Sequence, residues 1–99
     1  MQFSPELREA VAAGRITVSV RLWSRPKVKV GGRYPVLDTW FEVDDVELIP
    51  FRQVSAADVR RAGEQDLATL RERAAHAGPI HDDTLVYRIA FHVVDRRST

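Results

Sequence analysis

From Ile16 to Trp23 the chain alternates residue by residue, with Ile16, Val18, Val20 and Leu22 on one side and Thr17, Ser19, Arg21 and Trp23 on the other. This is the pattern of a half-buried strand. Its second side carries a hydroxyl, a guanidinium and an indole, groups able to contact a ligand. Leu85, Tyr87, Ile89, Phe91 and Val93 alternate in the same way and predict a last strand. A longer strand over 40–49 changes phase, from Phe41 and Val43 to Val46 and Leu48. An extra residue at Asp44-Asp45, a β-bulge, accounts for the change. Between these strands, Ser24-Arg25-Pro26 interrupts pairing and Lys27 to Val30 is short and extended. Gly31-Gly32 supplies a turn, and Tyr34 to Val36 begins a further strand.

Three short helices complete the pattern. Ser4, Pro5 and Glu6 read as the N-cap, first-turn proline and first-turn acid of a helix carrying Leu7, Ala10 and Val11, which Gly14 ends. Ser55 and Asp58 have the spacing of a capping box, so a helix runs to about Gly63. Asp66 caps another, with Leu67, Leu70, Ala74 and Ala77 on one side and Gly78-Pro79 as its stop. From Arg96 onward a frayed end is expected. The order helix, strands, two helices, strand favours an α+β mini-barrel closed by the final strand over a doubly wound sheet.

With 99 residues there is room for one core and not for two domains of ordinary size, so 1–99 reads as a single domain. The apolar share of 44% and charged share of 29% are those of a folded globular chain. The chain contains no cysteine, which excludes disulfides, thiolate metal sites and cysteine nucleophiles. No basic-then-apolar leader and no span long enough to cross a bilayer occur, so a cytoplasmic protein with no membrane association is expected. His76, His81 and His92 fit no zinc spacing, and no metal or cofactor is expected.

The net charge of +1 conceals a segregation. Arg15, Arg21, Arg25, Lys27, Lys29 and Arg33 form a run without an acid; Asp38, Glu42, Asp44, Asp45 and Glu47 form one without a base. The first is what a phosphate-binding surface requires, because each neutralised phosphate releases condensed counterions. The plainer alternative is a solvated run whose cations pair with the acidic strand, Arg21 with Glu42 or Asp44 in particular. Trp23 suits either a base-stacking platform or a cap on the core; Trp40 and Tyr87 are expected to pack. The pairs Arg60-Arg61 and Arg96-Arg97 read as solvated.

The run Ala13-Gly14-Arg15-Ile16-Thr17-Val18-Ser19-Val20-Arg21, then Lys29-Val30-Gly31, then Val86-Tyr87-Arg88-Ile89-Ala90-Phe91, resembles the ASCH domain family over nearly the whole chain. The resemblance implies a PUA-like small β-barrel with short flanking helices and a cleft suited to RNA. One branch of that family hydrolyses acylated cytidines with a lysine, a threonine and a glutamate. Carried over by position, the threonine falls on Ser19, the glutamate on Glu64 and the lysine on Ile16, which can activate nothing. A further departure is Gly32, where the family often has aspartate. The expectation is an RNA- or nucleotide-binding module whose cleft is lined by Ser19, Arg21, Trp23, Arg25, Lys27 and Lys29. The alternative is a small hydrolase of a modified nucleoside or of RNA, with Ser19 and Glu64 as catalytic residues. A third reading is a protein-binding module presenting the acidic 38–47 segment.

Overall fold

In the computed structural model of the protein, which describes residues 1–75 and 78–94, the strands with the clearest alternation are the longest. β3 (Thr39–Pro50) and β4 (Leu85–Val94) form the central antiparallel ladder. Phe41 faces Val93 and Val43 faces Phe91, but Asp45, not Asp44, faces Ala90. Asp44 is the extra residue of the expected bulge. β1 (Val18–Arg21) pairs with the other side of β4, and β2 (Arg33–Val36) with β3, giving the order β1-β4-β3-β2. β2 and β3 are joined by Leu37-Asp38, a two-residue turn in which Leu37 takes a φ of 51°.

The expectation that the last strand closes a barrel is corrected here. β4 has a neighbour on both sides, so it is interior, and β1 and β2 are left as the edges of an open four-stranded sheet among the described residues. β1 is also shorter than its alternation: Thr17 donates its N–H to Arg61 O instead of continuing the strand, although its carbonyl still accepts from Phe91 N–H.

Each helix has a local cause. α1 (Pro5–Ala12) starts with proline in the first turn and gives way to Gly14 at a φ of 81°. Ser4 stands at its N-cap but makes no side-chain cap; its Oγ accepts from Arg73 Nη1 at 3.3 Å. A 3-10 turn, Phe51–Gln53, follows β3. α2 (Ala56–Arg61) carries the reciprocal capping box, with Asp58 N–H donating to Ser55 Oγ at 3.0 Å and Ser55 N–H to Asp58 Oδ2 at 3.1 Å. α3 (Leu67–Ala74) is capped by Asp66, whose Oδ1 accepts from Thr69 N–H at 2.8 Å. Of its expected apolar side, Leu70 is buried and Leu67 is exposed; Ala77, His76, Arg96 and Arg97 lie outside the described residues. No helix among the described residues is long and apolar enough to cross a membrane.

The sheet buries apolar groups on both faces. Phe41, Val43, Ile89 and Phe91 pack with Phe3, Val11, Ile16 and Val28. Val18, Val20 and Val86 pack on the opposite face with Phe51, Val59, Leu70 and Ile80. Ile16 therefore parts from Val18 and Val20, contrary to the single inward face expected of them; the strand begins only after it. In register, Ser19 lies beside Ile89 and Arg21 beside Tyr87, on the face covered by Phe3. Across the other face, Arg88 Nε donates to Asp58 Oδ1 at 2.8 Å and Arg88 Nη1 lies 3.2 Å from Glu47 Oε1. This pins α2 onto the sheet. Burial alone would raise the Asp58 pKa, but the Ser55 N–H and the Arg88 guanidinium hold it below the usual carboxylate value.

Candidate functional site

Because β1 is an edge strand, the space beside it is not closed by another strand. A cleft of about 480 Å³ runs there, with Gln2, Phe3 and Ser4 along one wall and Ala62, Glu64, Leu70 and Arg73 along the other. Ser19, Arg21, Trp23 and Lys27 all line it. Its volume lies in the range of roughly 300–1,000 Å³ typical of small-molecule sites.

Arg21 is the centre of the N-terminal wall. Its Nε donates to Ser19 Oγ at 2.7 Å, its Nη2 donates to the Gln2 carbonyl at 2.6 Å, and its Cζ stands 5.3 Å from the centre of the Phe3 ring. Burial pulls its pKa below the ordinary value, but an arginine keeps its charge at neutral pH. Burial, then the charges of Arg21 and Lys27, pull down the pKa of the Met1 α-amine. The Ser19 hydroxyl accepts from Arg21 and retains its own hydrogen for another acceptor. Trp23 stacks obliquely on Tyr87, with ring centres 6.0 Å apart at 41°, and is half-buried beside the Phe3 core. It packs and lines the cleft at once. Ile16, at the position where the acylcytidine-hydrolysing branch carries lysine, is a buried apolar part of the wall.

Glu64 closes the opposite side. Its side chain is only 2% exposed; Oε1 takes a hydrogen bond from Arg73 Nε at 2.8 Å, and Oε2 is buried with no partner. Arg73 also donates from Nη1 to Glu6 Oε1 at 2.8 Å. Glu6, then Glu64, holds the Arg73 pKa above its ordinary value, and the same bond lowers that of Glu6.

Five of the seven residues expected at the site thus share one cleft: Ser19, Arg21, Trp23, Lys27 and Glu64. Arg25 and Lys29 are exposed and do not line it. Of the six-cation run, only Arg33 pairs with the acidic strand, through Glu42 at 2.9 Å; Arg21 meets neither Glu42 nor Asp44. Sequence reasoning missed Arg73 and the segment Gln2–Ser4. No local pattern marks Arg73, which reaches the cleft only because α3 packs beside β1. His81 is exposed. His92 Nδ1 lies 2.8 Å from Asp44 Oδ1, and with Glu42 these side chains gather potential cation ligands within 4.8 Å. No histidine spacing marked this trio, since the bulge and a cross-strand pair assemble it.

Compared with solved structures, the chain has the fold of an ASCH domain. It superposes on an ASCH domain from Lactobacillus crispatus JV V101 with a TM-score of 0.73 at 20% identity, over 92% of this chain and 72% of that one. It superposes equally on protein EF3133 from Enterococcus faecalis V583, of the family DUF984, with a TM-score of 0.72 at 22% identity, over 91% of this chain and 68% of that one. No family model and no curated protein matches the sequence.

Proposed function

We infer that the protein binds single-stranded or irregular RNA, or a nucleotide from it, in the cleft beside β1. The reading is supported chiefly by the convergence of Arg21, Trp23 and Lys27 on one cleft of nucleotide-compatible size. A half-buried guanidinium forks onto a phosphate, the indole offers a face to a base, and the ammonium tracks the backbone. Arg25 and Lys29, exposed next to Lys27 in sequence, extend the cationic track beyond the cleft to flanking phosphates. The resemblance to ASCH domains, with their PUA-like relatives, points the same way.

Hydrolysis is the second reading, because Ser19 and Glu64 line the same cleft. A serine nucleophile needs a group that accepts its proton. The neighbour that Ser19 has is Arg21 Nε, a donor, and Ile16 supplies no lone pair. We therefore expect binding with negligible turnover of acylated cytidines.

Binding of a fluorescent single-stranded RNA, titrated at several salt concentrations, tests the reading. Affinity falls steeply between about 50 and 200 mM salt if phosphates are neutralised. Arg21→Ala weakens it by about 1.5–3 kcal/mol, the worth of a hydrogen bond to a charged group, while Ser19→Ala leaves it nearly unchanged. Affinity that ignores salt, or turnover of an acylated cytidine that is abolished in Ser19→Ala, would overturn it.

A further inference from the structure

Away from the cleft, Glu42, Asp44 and His92 bring an imidazole and two carboxylates together on the central ladder, and none of the three lines the cleft. Glu42 and His92 are opposite each other in the β3–β4 register, so their side chains stand on one face of the sheet. Asp44 joins them through the bulge. As the extra residue between Val43 and Asp45 it faces no residue of β4, and a bulge re-aims the side chain it carries. Its Oδ1 stands 2.8 Å from His92 Nδ1. A carboxylate only accepts, so Nδ1 holds the hydrogen, and in a neutral ring Nε2 then presents a lone pair. That nitrogen lies 3.8 Å from Glu42 Oε2, while Glu42 Oε1 is occupied by Arg33 Nε at 2.9 Å. A gap of 3.8 Å is too long for a hydrogen bond. It suits two atoms bound to one ion at about 2.0–2.2 Å each, which stand roughly 3.4 Å apart at the tetrahedral angle and about 4.2 Å apart at most.

We propose that His92 Nε2 and Glu42 Oε2 bind a divalent transition-metal cation of the zinc class, with Asp44 as the positioning residue that holds the ring. A carboxylate that accepts from one imidazole nitrogen fixes the tautomer and raises the basicity of the other, which is how metal-binding histidines are oriented generally. The donor pair selects the ion: imidazole suits zinc and its neighbours, whereas magnesium and calcium take oxygen ligands. Two carboxylates against the one guanidinium of Arg33 leave the group negative overall, and Asp44 and His92 are exposed, so a cation reaches them from water. Two protein ligands are fewer than the four of a closed structural site. The ion therefore keeps water in its remaining positions and exchanges. Without a metal, the same side chains form an imidazolium held between two carboxylates, and the two arrangements differ in what Nε2 carries.

The test is calorimetric titration of the full chain with zinc chloride and separately with magnesium chloride, together with nitrogen NMR of the imidazole rings. Zinc binds more tightly than magnesium by about tenfold or more, and the His92 Nε2 signal shifts on its addition while Nδ1 keeps its hydrogen. Zinc affinity falls by about tenfold or more in His92→Ala and in Glu42→Gln, and by about tenfold in Asp44→Ala, the effect of losing an outer partner. Asp44→Asn, which keeps an oxygen for the Nδ1 hydrogen, recovers most of the loss, and His76→Gln and His81→Gln leave the affinity unchanged. A wild-type His92 Nε2 signal that zinc does not move overturns the proposal, and this reading does not depend on any variant folding. Equal affinity for magnesium, or undiminished zinc affinity in a folded His92→Ala protein, overturns it as well. Asp44→Asn no better than Asp44→Ala overturns the positioning role.

Discussion

Gly63 links the fold to the cleft, and replacing it with alanine should be costly for two separable reasons. Its φ of 79° lies in the left-handed region, which costs an L-residue with a Cβ about 1–2 kcal/mol. The added Cβ would also stand 2.6 Å from Ile16 Cδ1 and 2.9 Å from Ile16 Cγ1, with Leu7 Cδ2 at 3.9 Å beyond them. Ile16 is 4% exposed and packed in the cluster around Phe3, so a shift of its chain end disturbs that packing. Overpacking of this kind costs about 1–3 kcal/mol, and together the two terms reach about 2–5 kcal/mol. A small domain loses roughly 2 kcal/mol per molar urea at mid-range, so the midpoint of Gly63→Ala in a urea titration falls by about 1–2.5 M. Ile16→Val removes the atom at 2.6 Å and separates the terms: in the double variant the overpacking cost shrinks while the backbone cost remains, giving a favourable coupling of at least about 0.5 kcal/mol. A Gly63→Ala protein within about 0.5 kcal/mol of the wild type would refute the argument, and strictly additive variants would refute its packing half.

Other predictions concern single features. Leu37→Asn should stabilise the protein by about 0.5–1 kcal/mol, read as a higher urea midpoint, because asparagine enters the left-handed region more cheaply than leucine and Leu37 is 56% exposed. Ser55→Ala should cost about 0.5–2 kcal/mol through loss of the reciprocal cap, with the loss of helix signal tracking the loss of stability. Because the Asp58 pKa is depressed in the folded state, its ionised form adds stability that is complete above the unfolded value of about 3.9 and disappears as pH falls through the lower folded value. Urea titrations of wild type and Asp58→Asn should therefore diverge at neutral pH and converge in acid; a constant gap across pH would contradict the assignment.

How far the fold was legible depended on whether the information was local. The capping box at Ser55 and Asp58, the cap at Asp66 and the bulge at Asp44 are all written in a few adjacent residues, and all three appear where the spacing places them. The position of β4 was not legible in the same way. Its alternation marks a strand but says nothing about which strands lie beside it, and the inference of a closing edge gave way to a central strand with two partners. The same gap misread β1. Alternation of apolar and polar residues suggests one face in and one face out, yet Val18, Ser19 and Val20 are all buried, because Phe3 and the first helix cover the side that the pattern assigns to solvent.

That second cover is what turns the strand's polar side into the wall of a cleft. Ser19 and Arg21 would be ordinary surface residues on a sheet packed on one face only. With Phe3 above them and Gln2 O taking a hydrogen bond from Arg21, they become a buried hydroxyl and a half-buried guanidinium at the wall of a cleft. The sequence carried the residue types but not the burial, since the covering segment lies 19 positions away from Arg21 at Gln2. The same holds across the cleft. Glu64 is recognisable only as an acid after a helix-ending glycine until Arg73, nine positions on, fixes one of its oxygens and leaves the other bare. Lys27 needed no such help: as an exposed cation near the strand's end it reaches the cleft mouth on its own flexible stem, whereas Arg25 and Lys29, on either side of it, remain outside. The run of charges marked Lys27 without separating it from Arg25 and Lys29, and burial that two distant segments create together was not written locally at all.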